Sequence, residues 1–154
     1  MAEASKQTDF SGLGYGDETR RHGDYVGLPH GDGGSVTGSV RPGQAVMVDG
    51  GVVAQADGTT AVTIGVLSNY PRAGDSGGPS DPSPITAGQP ANVKTSGTVK
   101  AEVDSGVSAG DELTPAAGVF EAGTGDIQAV ALTDAVEDDR YDGSSAYYAE
   151  VLLR

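Results

Sequence analysis

The hydrophobic pattern along the chain is that of short β-strands. Residues 98–103 alternate strictly between polar and apolar side chains, with the two valines and Ala101 on one side. A period of two predicts a strand that is buried on its apolar face and solvated on the other. Residues 61–67 and 127–132 are more continuously apolar, as core strands are, and residues 147–153 form a closing strand. No segment shows the 3.6-residue period of a helix.

A repeat of this strand pattern runs through the chain. Gly43 and Gly110 lie 67 residues apart, and so do Gly51 and Gly118. Each copy reads as a turn, a strand, a tight turn at glycine and a second strand. Glycine supplies the positive φ that a hairpin turn requires.

The apolar positions that follow each hairpin repeat as well, at a slightly shorter offset. Val62 and Ile127 lie 65 residues apart, as do Leu67 and Leu132. The copies therefore span residues 40–67 and 107–132, with a partial third copy at 87–103.

These patterns predict one all-β domain over residues 35–154, a small β-barrel or β-sandwich built from repeated hairpins. Several hairpins together can close around a core that a lone hairpin lacks. Residues 70–84, rich in Gly, Ser, Asp and Pro, predict a long surface loop. Residues 1–34 have no periodic apolar pattern and predict an extended, irregular N-terminal arm.

Composition narrows the function classes. Glycine occurs 25 times and proline 8 times, which suits short strands and tight turns. Nine Lys and Arg stand against 22 Asp and Glu, for a net charge of −13. A chain so poor in cations is not expected to bind nucleic acid or an anionic membrane. Acidic residues spread along the whole chain, together with few lysines, are typical of halophilic proteins, whose like charges are screened in molar salt.

Other features set further expectations. There is no cysteine, so disulfides and thiolate metal sites are excluded. The first residues have no apolar signal-peptide core, and no apolar run approaches the ~20 residues of a membrane helix. We expect no cofactor.

One local motif points to an enzyme. Residues 74–79 are identical to the nucleophile signature of chymotrypsin-like serine proteases. The resemblance implies Ser76 as nucleophile, with backbone N–H groups of Gly74 and Ser76 as an oxyanion hole. The candidate partners that complete a triad are His22 or His30 with Asp49 or Asp57.

The surroundings of the motif argue against catalysis. Both histidines lie in the predicted arm and not between strands, and the motif runs into a Ser- and Pro-rich stretch where a specificity pocket needs a strand. A short Gly-, Ser- and Asp-rich match arises easily in such a loop. We therefore interpret the chain as not being an enzyme.

Two weak metal-site candidates occur. Pairs of His and Asp eight residues apart could bind a divalent cation, and an acidic run near the C-terminus could hold Ca²⁺. The pairs are His22 with Asp24 and His30 with Asp32; the run is Glu137, Asp138 and Asp139 with Asp142. A polar arm and a solvated acidic turn explain both patterns better, so we expect no metal site.

Aromatic side chains mark candidate interfaces. Tyrosine is enriched at interface hot spots, and the chain has few other large side chains. The candidates are Tyr141, Tyr147 and Tyr148 near the C-terminus and Phe10, Tyr15 and Tyr25 in the arm.

The repeated sequence pattern resembles that of the small cement, or decoration, proteins on the capsids of tailed viruses with HK97-type shells. In those proteins a Gly-Asp or Gly-Gln precedes a strand, a Gly-Val pair follows, and an apolar strand closes the unit. The matching runs are 43–44, 51–53, 64–67, 110–111, 118–120 and 129–132, with the ending at 149–153. The resemblance covers roughly residues 35–154.

The resemblance implies a homo-oligomer, a trimer or another multimer, that binds the major capsid protein on the outer surface of the virion and stabilises the shell. Together with the acidity it implies a tailed virus of a halophilic archaeon. An alternative for a Gly-rich β-protein is a tail or baseplate protein that binds host glycans.

Overall fold

The fold is all-β, as the strand pattern predicted. The computed structural model describes residues 15–21, 23–29, 40–49, 52–58, 63–68, 90–123, 128–139 and 145–154. These residues contain eleven strands and no helix. The predicted surface loop at 70–84 lies outside the described residues.

The strands fall into two sheets that follow each other along the chain. The first sheet contains β1 Tyr25–Pro29, β2 Ala45–Asp49, β3 Val52–Gln55, β4 Thr63–Leu67 and β5 Pro90–Lys94. The second sheet contains β6 Gly97–Val103, β7 Glu112–Ala116, β8 Val119–Ala122, β9 Ala129–Ala131, β10 Val136–Asp139 and β11 Ser145–Leu153.

The second sheet closes into a barrel. Its order is β10-β11-β6-β8-β7-β9, and β9 pairs with β11 as well as with β7. Strands β11, β6, β8, β7 and β9 therefore form a hydrogen-bonded ring, with β10 outside it. The first sheet, in the order β1-β5-β4-β2-β3, curls so that β1 contacts β3 without a ladder between them. Barrel architecture is thus confirmed.

The two sheets share one topology. In the first, the order is β1-β5-β4-β2-β3; in the second, after β10 is set aside, it is β6-β11-β9-β7-β8. Each sheet thus consists of an opening strand, a three-strand unit and a last strand that inserts beside the opening one. The internal repeat is therefore a duplication of a whole five-stranded sheet, larger than the hairpin units that the sequence indicates.

The turns before β2 and β7 have the same geometry. Gly43 and Gly110 have φ values of 89° and 93°. The N–H of Gly43 donates to the carbonyl of Leu67 at 2.9 Å, and that of Gly110 donates to Ala131 at 2.8 Å. Leu67 is therefore equivalent to Ala131, one residue before the Leu132 that the sequence pattern matched to it.

A side chain closes each of these turns in the same way. The backbone N–H of Arg41 donates to Gln44 Oε1 at 3.0 Å, and that of Ser108 donates to Asp111 Oδ2 at 2.8 Å. The shared bond needs only an oxygen at this position, which explains how glutamine and aspartate alternate there.

The partial third copy at 87–103 is wrong as a hairpin. Its two strands, β5 and β6, belong to different sheets. They are the last strand of the first sheet and the opening strand of the second. Gly97, with φ 89°, lies where the chain crosses between them. A crossover between sheets and a hairpin turn can both require a glycine with positive φ, so the sequence alone does not distinguish them.

The core has two parts. A small cluster in the first sheet contains Val40, Val46, Val53, Leu67 and Val93. A larger cluster fills the second sheet around Phe120 and Leu113 and extends to the facing side of the first sheet through Ala45, Met47 and Val66. The larger cluster therefore draws on both sheets, with most of its members in the second.

Two expectations from the hydrophobic pattern, about the N-terminal arm and about β6, need correction. The segment predicted as an irregular arm contains β1, which pairs along its length with β5. Strand β6 was predicted to be half-buried, yet every residue from Gly97 to Val103 is buried. Residues 16–21 of the same segment run along the free edge of β6, and side chains from elsewhere in the fold cover its polar face.

Candidate functional site

The most elaborate polar arrangement in the described chain surrounds residues 15–21, which we call the clasp segment. It runs along the edge of β6 that β11 does not use. The N–H of Gly16 donates to the carbonyl of Lys100 at 2.7 Å, and the N–H of Lys100 donates to Asp17 at 3.0 Å. A β-bridge joins Glu18 to Val99. The clasp segment thus takes the place of a neighbouring strand.

A hydroxyl anchors the end of the clasp segment. Thr98 Oγ1 accepts hydrogen bonds from the backbone N–H groups of Arg20 at 2.9 Å and Arg21 at 2.7 Å. Two successive donors meet one acceptor, so the chain turns here and leaves β6 for β1.

An ion pair fastens the clasp segment to the second sheet. Arg20 Nε lies 3.0 and 3.1 Å from the two carboxylate oxygens of Glu150, and its Nη2 also donates to Glu150. Glu150 is fully buried on β11, while Arg20 is about half exposed. The hydrogen bonds that Arg20 donates to Glu150 raise the pKa of the guanidinium above its ordinary value. Such a fork-to-fork contact fixes geometry as well as charge.

A second fastening encloses Lys100. Its Nζ lies 2.9 Å from Asp138 Oδ2 on β10. The same ammonium lies 4.0 Å from the ring centre of Tyr148 and 4.7 Å from that of Tyr15. The two rings meet edge to face at 6.0 Å. Carboxylate and aromatic faces together compensate a cation that is only 1% exposed.

A third fastening reaches the first sheet. The ammonium of Lys94, on β5, is fully buried and bonds to the carboxylate of Glu18. The same carboxylate accepts from the backbone N–H of Gly23 at 3.2 Å. The clasp segment is therefore joined to both sheets through charged side chains.

A polar contact also joins the sheets directly. Gln44 Nε2 donates to Glu102 at 3.3 Å, and Gln55 Nε2 donates to Gln44 Oε1 at 3.0 Å. A side chain at Gly118 would meet both glutamines at 3.3 Å, so the turn before β8 packs against this contact. Glycine is required there also by its φ of 83°.

Together these contacts form a fastening. Lys94, Lys100 and Glu150 are buried, whereas their partners are partly exposed, and removing any partner would leave a charge in a desolvated place. The cations and anions satisfy one another, so this arrangement holds the N-terminal residues and the two sheets in one fixed geometry.

The structure brings two of the predicted interface residues together. Tyr15 and Tyr148 are both buried and pack against each other within the chain. Tyr147 lies on the opposite face of β11 and packs on the large core. Tyr25 begins β1. Phe10 and Tyr141 lie outside the described residues.

The residues of the protease hypothesis are mostly outside the described part of the chain. The described residues do not include Ser76, His22 or His30. Asp49 ends β2, and Asp57 is half-buried after β3. Nothing in the described residues brings a triad together.

The metal candidates divide in the same way. His22, His30, Asp32 and Asp142 lie outside the described residues, and Asp24 is exposed. Asp138 bonds to Lys100, and Glu137 and Asp139 lie on the same strand. Within the ranges that the structure describes, no three His, Asp or Glu side chains are grouped to hold a metal ion.

The charged residues of the fastening were not predicted from the sequence. Arg20 lies 130 residues from Glu150, and Glu18 lies 76 residues from Lys94, so no local motif connects the paired charges. One signal was present in the sequence. The chain has only three lysines, and one of them, Lys100, lies inside a predicted strand, whereas lysine is more usual in a solvated loop.

No helix of the described residues is long and apolar enough to cross a membrane. No protein-family model matches the chain. A search of curated proteins finds no match either.

Solved structures do show the same fold. The C-terminal fragment of bacteriophage phi29 gene product 12 superposes with a TM-score of 0.53 and 15% identity, over 83% of this chain and 98% of that one. Pre-mature gene product 12 of the same phage gives a TM-score of 0.56 and 15% identity, over 92% of this chain. This chain spans 22% of the length of that protein. At such identity the likeness establishes the fold alone.

Proposed function

We propose that the chain is a structural protein of a tailed-virus particle, which binds the outer surface of the capsid shell and stabilises it. The observation that carries the proposal is the fold shared with a bacteriophage protein over most of the chain. The resemblance of the repeated sequence motifs to those of capsid cement proteins supports the more specific proposal that the chain binds the capsid shell. The partner would be the major capsid protein, and the protein would act as a homo-oligomer, with a trimer as the expected state.

The internal fastening suits such a role. A decoration protein acts as a ligand for the assembled shell, so its binding free energy adds to the stability of that state. Binding energy is lost when a ligand must first be ordered. Here Arg20, Lys94 and Lys100 hold the two sheets and the clasp segment before any partner arrives. Many such copies on one lattice act together.

The acidity supports a saline setting for this function. The described lysines, Lys94 and Lys100, are both buried, so they do little to offset the surface acid. At a net charge of −13, neighbouring copies on a shell repel one another unless salt screens them. We therefore propose a virus of a halophilic archaeon as the source.

The proposal is tested by the stability of the shell. Capsid shells stripped of the protein should lose their integrity at a lower temperature than shells to which it is restored in molar salt, with light scattering as the readout. An unrelated acidic protein at equal concentration is the control. Shells that neither bind the protein nor gain stability would refute the proposal, and binding to tails alone would favour the host-binding alternative.

We also propose that the chain is not an enzyme, and residues 74–79 permit a direct test. A fluorophosphonate probe labels an activated serine. In molar salt we expect no labelling that differs between the unchanged protein and Ser76→Ala. Labelling that Ser76→Ala abolishes would establish a reactive serine and overturn this proposal.

A further inference from the structure

The second sheet carries a row of apolar side chains on its outer face, which we call the outer strip. Alternate residues of a strand face opposite sides of the sheet. Ala129 and Ala131 lie in the core, so Val130 between them faces outward. It pairs there with Leu152 of β11, and both side chains are half-buried.

The outer strip continues alongside β11 towards β10. The backbone N–H of Leu132 donates to the carbonyl of Glu150 at 2.8 Å, and Val136 pairs with Tyr148, two residues earlier on β11. Because positions two apart lie on one face of a strand, Leu132 and Val136 extend the row that Val130 begins. Leu132 is 37% exposed and Val136 is 45% exposed. The outer strip thus contains Val130, Leu132, Val136 and Leu152.

Cations flank the outer strip on the side of β6. Leu152 pairs with Thr98, whose hydroxyl accepts the backbone N–H groups of Arg20 and Arg21. Arg21 is exposed and Arg20 is about half exposed. Arg154, also exposed, follows β11 at the end of the strip. The structure describes four arginines, and three of them therefore lie beside the outer strip, while both described lysines are buried.

Carboxylates flank the outer strip on the opposite side. Val130 pairs with Glu112 of β7, which is exposed. Asp134 is also exposed and accepts from the backbone N–H of Ala109 at 2.8 Å, in the turn before β7. A line of cross-strand neighbours thus runs from the arginines through Leu152 and Val130 to a carboxylate.

Such a face is complementary to itself. Copies arranged around an axis that runs along the outer strip place their apolar side chains together at the axis. The arginine flank of each copy then meets the carboxylate flank of the next. Opposite charges across a contact fix its register and disfavour other partners. Copies with a net charge of −13 repel one another elsewhere, so this pairing also selects where they approach.

We propose that the outer strip and its two charged flanks form the contact between copies of this chain, which assemble into a closed ring around an axis parallel to the strip. The inference deepens the homo-oligomer of the proposed function and rests on it, but it does not require the capsid. Closed rings are the usual form of homo-oligomers. Because the clasp segment holds Arg20 and Arg21 beside Thr98, the internal fastening also positions one flank of the contact.

A charge placed in the outer strip tests the contact. In molar salt, the mass measured by light scattering should be that of a multimer for the unchanged protein. Leu132→Glu should weaken association by about a hundredfold, because the new carboxylate would be buried without a partner. Val48→Glu is the matched control, since Val48 lies on β2 of the first sheet with 38% exposure. It makes the same change of charge and should leave the mass unchanged.

Charge reversal tests the flanks separately from the strip. Glu112→Arg should weaken association by about tenfold, because arginines would then meet arginines. Glu121→Arg is the control: Glu121 is exposed on β8, the strand opposite β9 and β11 in the ring. Both variants make the chain less acidic, so relief of general repulsion would strengthen association in both. The comparison is made at the lowest salt at which both keep their strand spectrum, because salt screens exposed pairs.

Each result decides the inference. A multimer that Leu132→Glu dissociates and Val48→Glu leaves intact supports it, provided that both variants keep the far-UV strand spectrum. A monomeric unchanged protein overturns it, and so do equal effects of Glu112→Arg and Glu121→Arg.

The capsid-shell assay separates this inference from the proposed function. If Leu132→Glu remains a multimer and no longer binds shells, the strip contacts the capsid protein, so the inference is wrong while the proposed function stands. If Leu132→Glu dissociates the multimer and the unchanged protein does not bind shells, the contact stands and the proposed function is wrong.

Discussion

The first and second sheets have the same strand order and differ in how they are closed. The second sheet is a complete ring, with β9 joined to β11 and the clasp segment beside β6. The first sheet has a smaller cluster of buried side chains, and its strands β1 and β3 contact each other without a ladder in the described part of the chain. The comparison teaches that topology alone does not close a small barrel. In the second sheet the ring is joined by the β9–β11 pairing, and the clasp segment lies along the remaining edge of β6.

The largest expected effect is that of salt. At 0.01 M salt the Debye length is about 30 Å, so the net charge of −13 repels itself across the whole molecule. We expect the fold to be lost at low salt and the melting temperature to rise steadily towards ~3 M KCl, where screening is short-ranged and apolar burial is strengthened.

Hydrogen exchange sharpens this prediction to the level of the sheets. At intermediate salt, the backbone amide of Val46 in the first sheet should exchange before that of Ala101 in the second, because the smaller cluster of buried side chains in the first sheet lowers its local stability. In the melting experiment, sorbitol at matched osmolality is the control for the effect of added salt. A melting temperature that is flat or falls with added salt would contradict the halophilic interpretation.

The next largest effect compares the two cores at equivalent positions. Phe120→Ala should destabilise the protein by about 3–5 kcal/mol, the usual cost of removing a buried phenyl ring. Val53→Ala, 67 residues earlier and equally buried, removes less apolar surface and should cost about 1.5 kcal/mol. Urea unfolding at constant salt measures both. Equal losses would mean that the second sheet does not contain the dominant core.

A smaller effect distinguishes the two matched turns. Gly110→Ala should cost about 1 kcal/mol, because φ is 93° and nothing lies near the added methyl group. Gly43→Ala should cost about 2–3 kcal/mol, because its Cβ would also lie 2.8 Å from Cβ of Tyr15. Thermal unfolding of both variants under one salt condition tests the difference. Equal losses would indicate that Tyr15 is not held against the turn.

The smallest effect concerns the clasp segment. Arg20→Met should destabilise the protein by about 1–2 kcal/mol, because the buried carboxylate of Glu150 loses its charged donor. The exposed neighbour Arg21→Met is the matched control and should change stability by less than about 0.5 kcal/mol. If both variants behave alike, the ion pair does not fasten the segment.

Short-range features of the fold could be predicted from the sequence because they depend on local backbone demands. Gly43 and Gly110 were recognisable because a positive φ restricts the residue type, and the alternation in β6 was recognisable because a strand has period two. The same rule misassigned Gly97, since a crossover between sheets demands the same glycine. Local rules do not tell which strands pair.

The candidate site was out of reach of such rules because its contacts join distant parts of the chain. The polar face of β6, with Lys100 and Glu102, has the pattern of a solvated surface, and it becomes an interior through contacts with the clasp segment, with Asp138 and Tyr148, and with Gln44. The irregular arm was predicted from its lack of an apolar period. Its binding uses backbone edges and charges, with Arg20 reaching Glu150 across the fold.

The most direct test of the account is the position of the protein on a virus particle. Electron cryomicroscopy of particles that contain it should show the two-sheet body at regular positions on the outer capsid surface, in contact with the major capsid protein. Density for this fold on the tail alone, or no density for it on the capsid surface, would contradict the central claim.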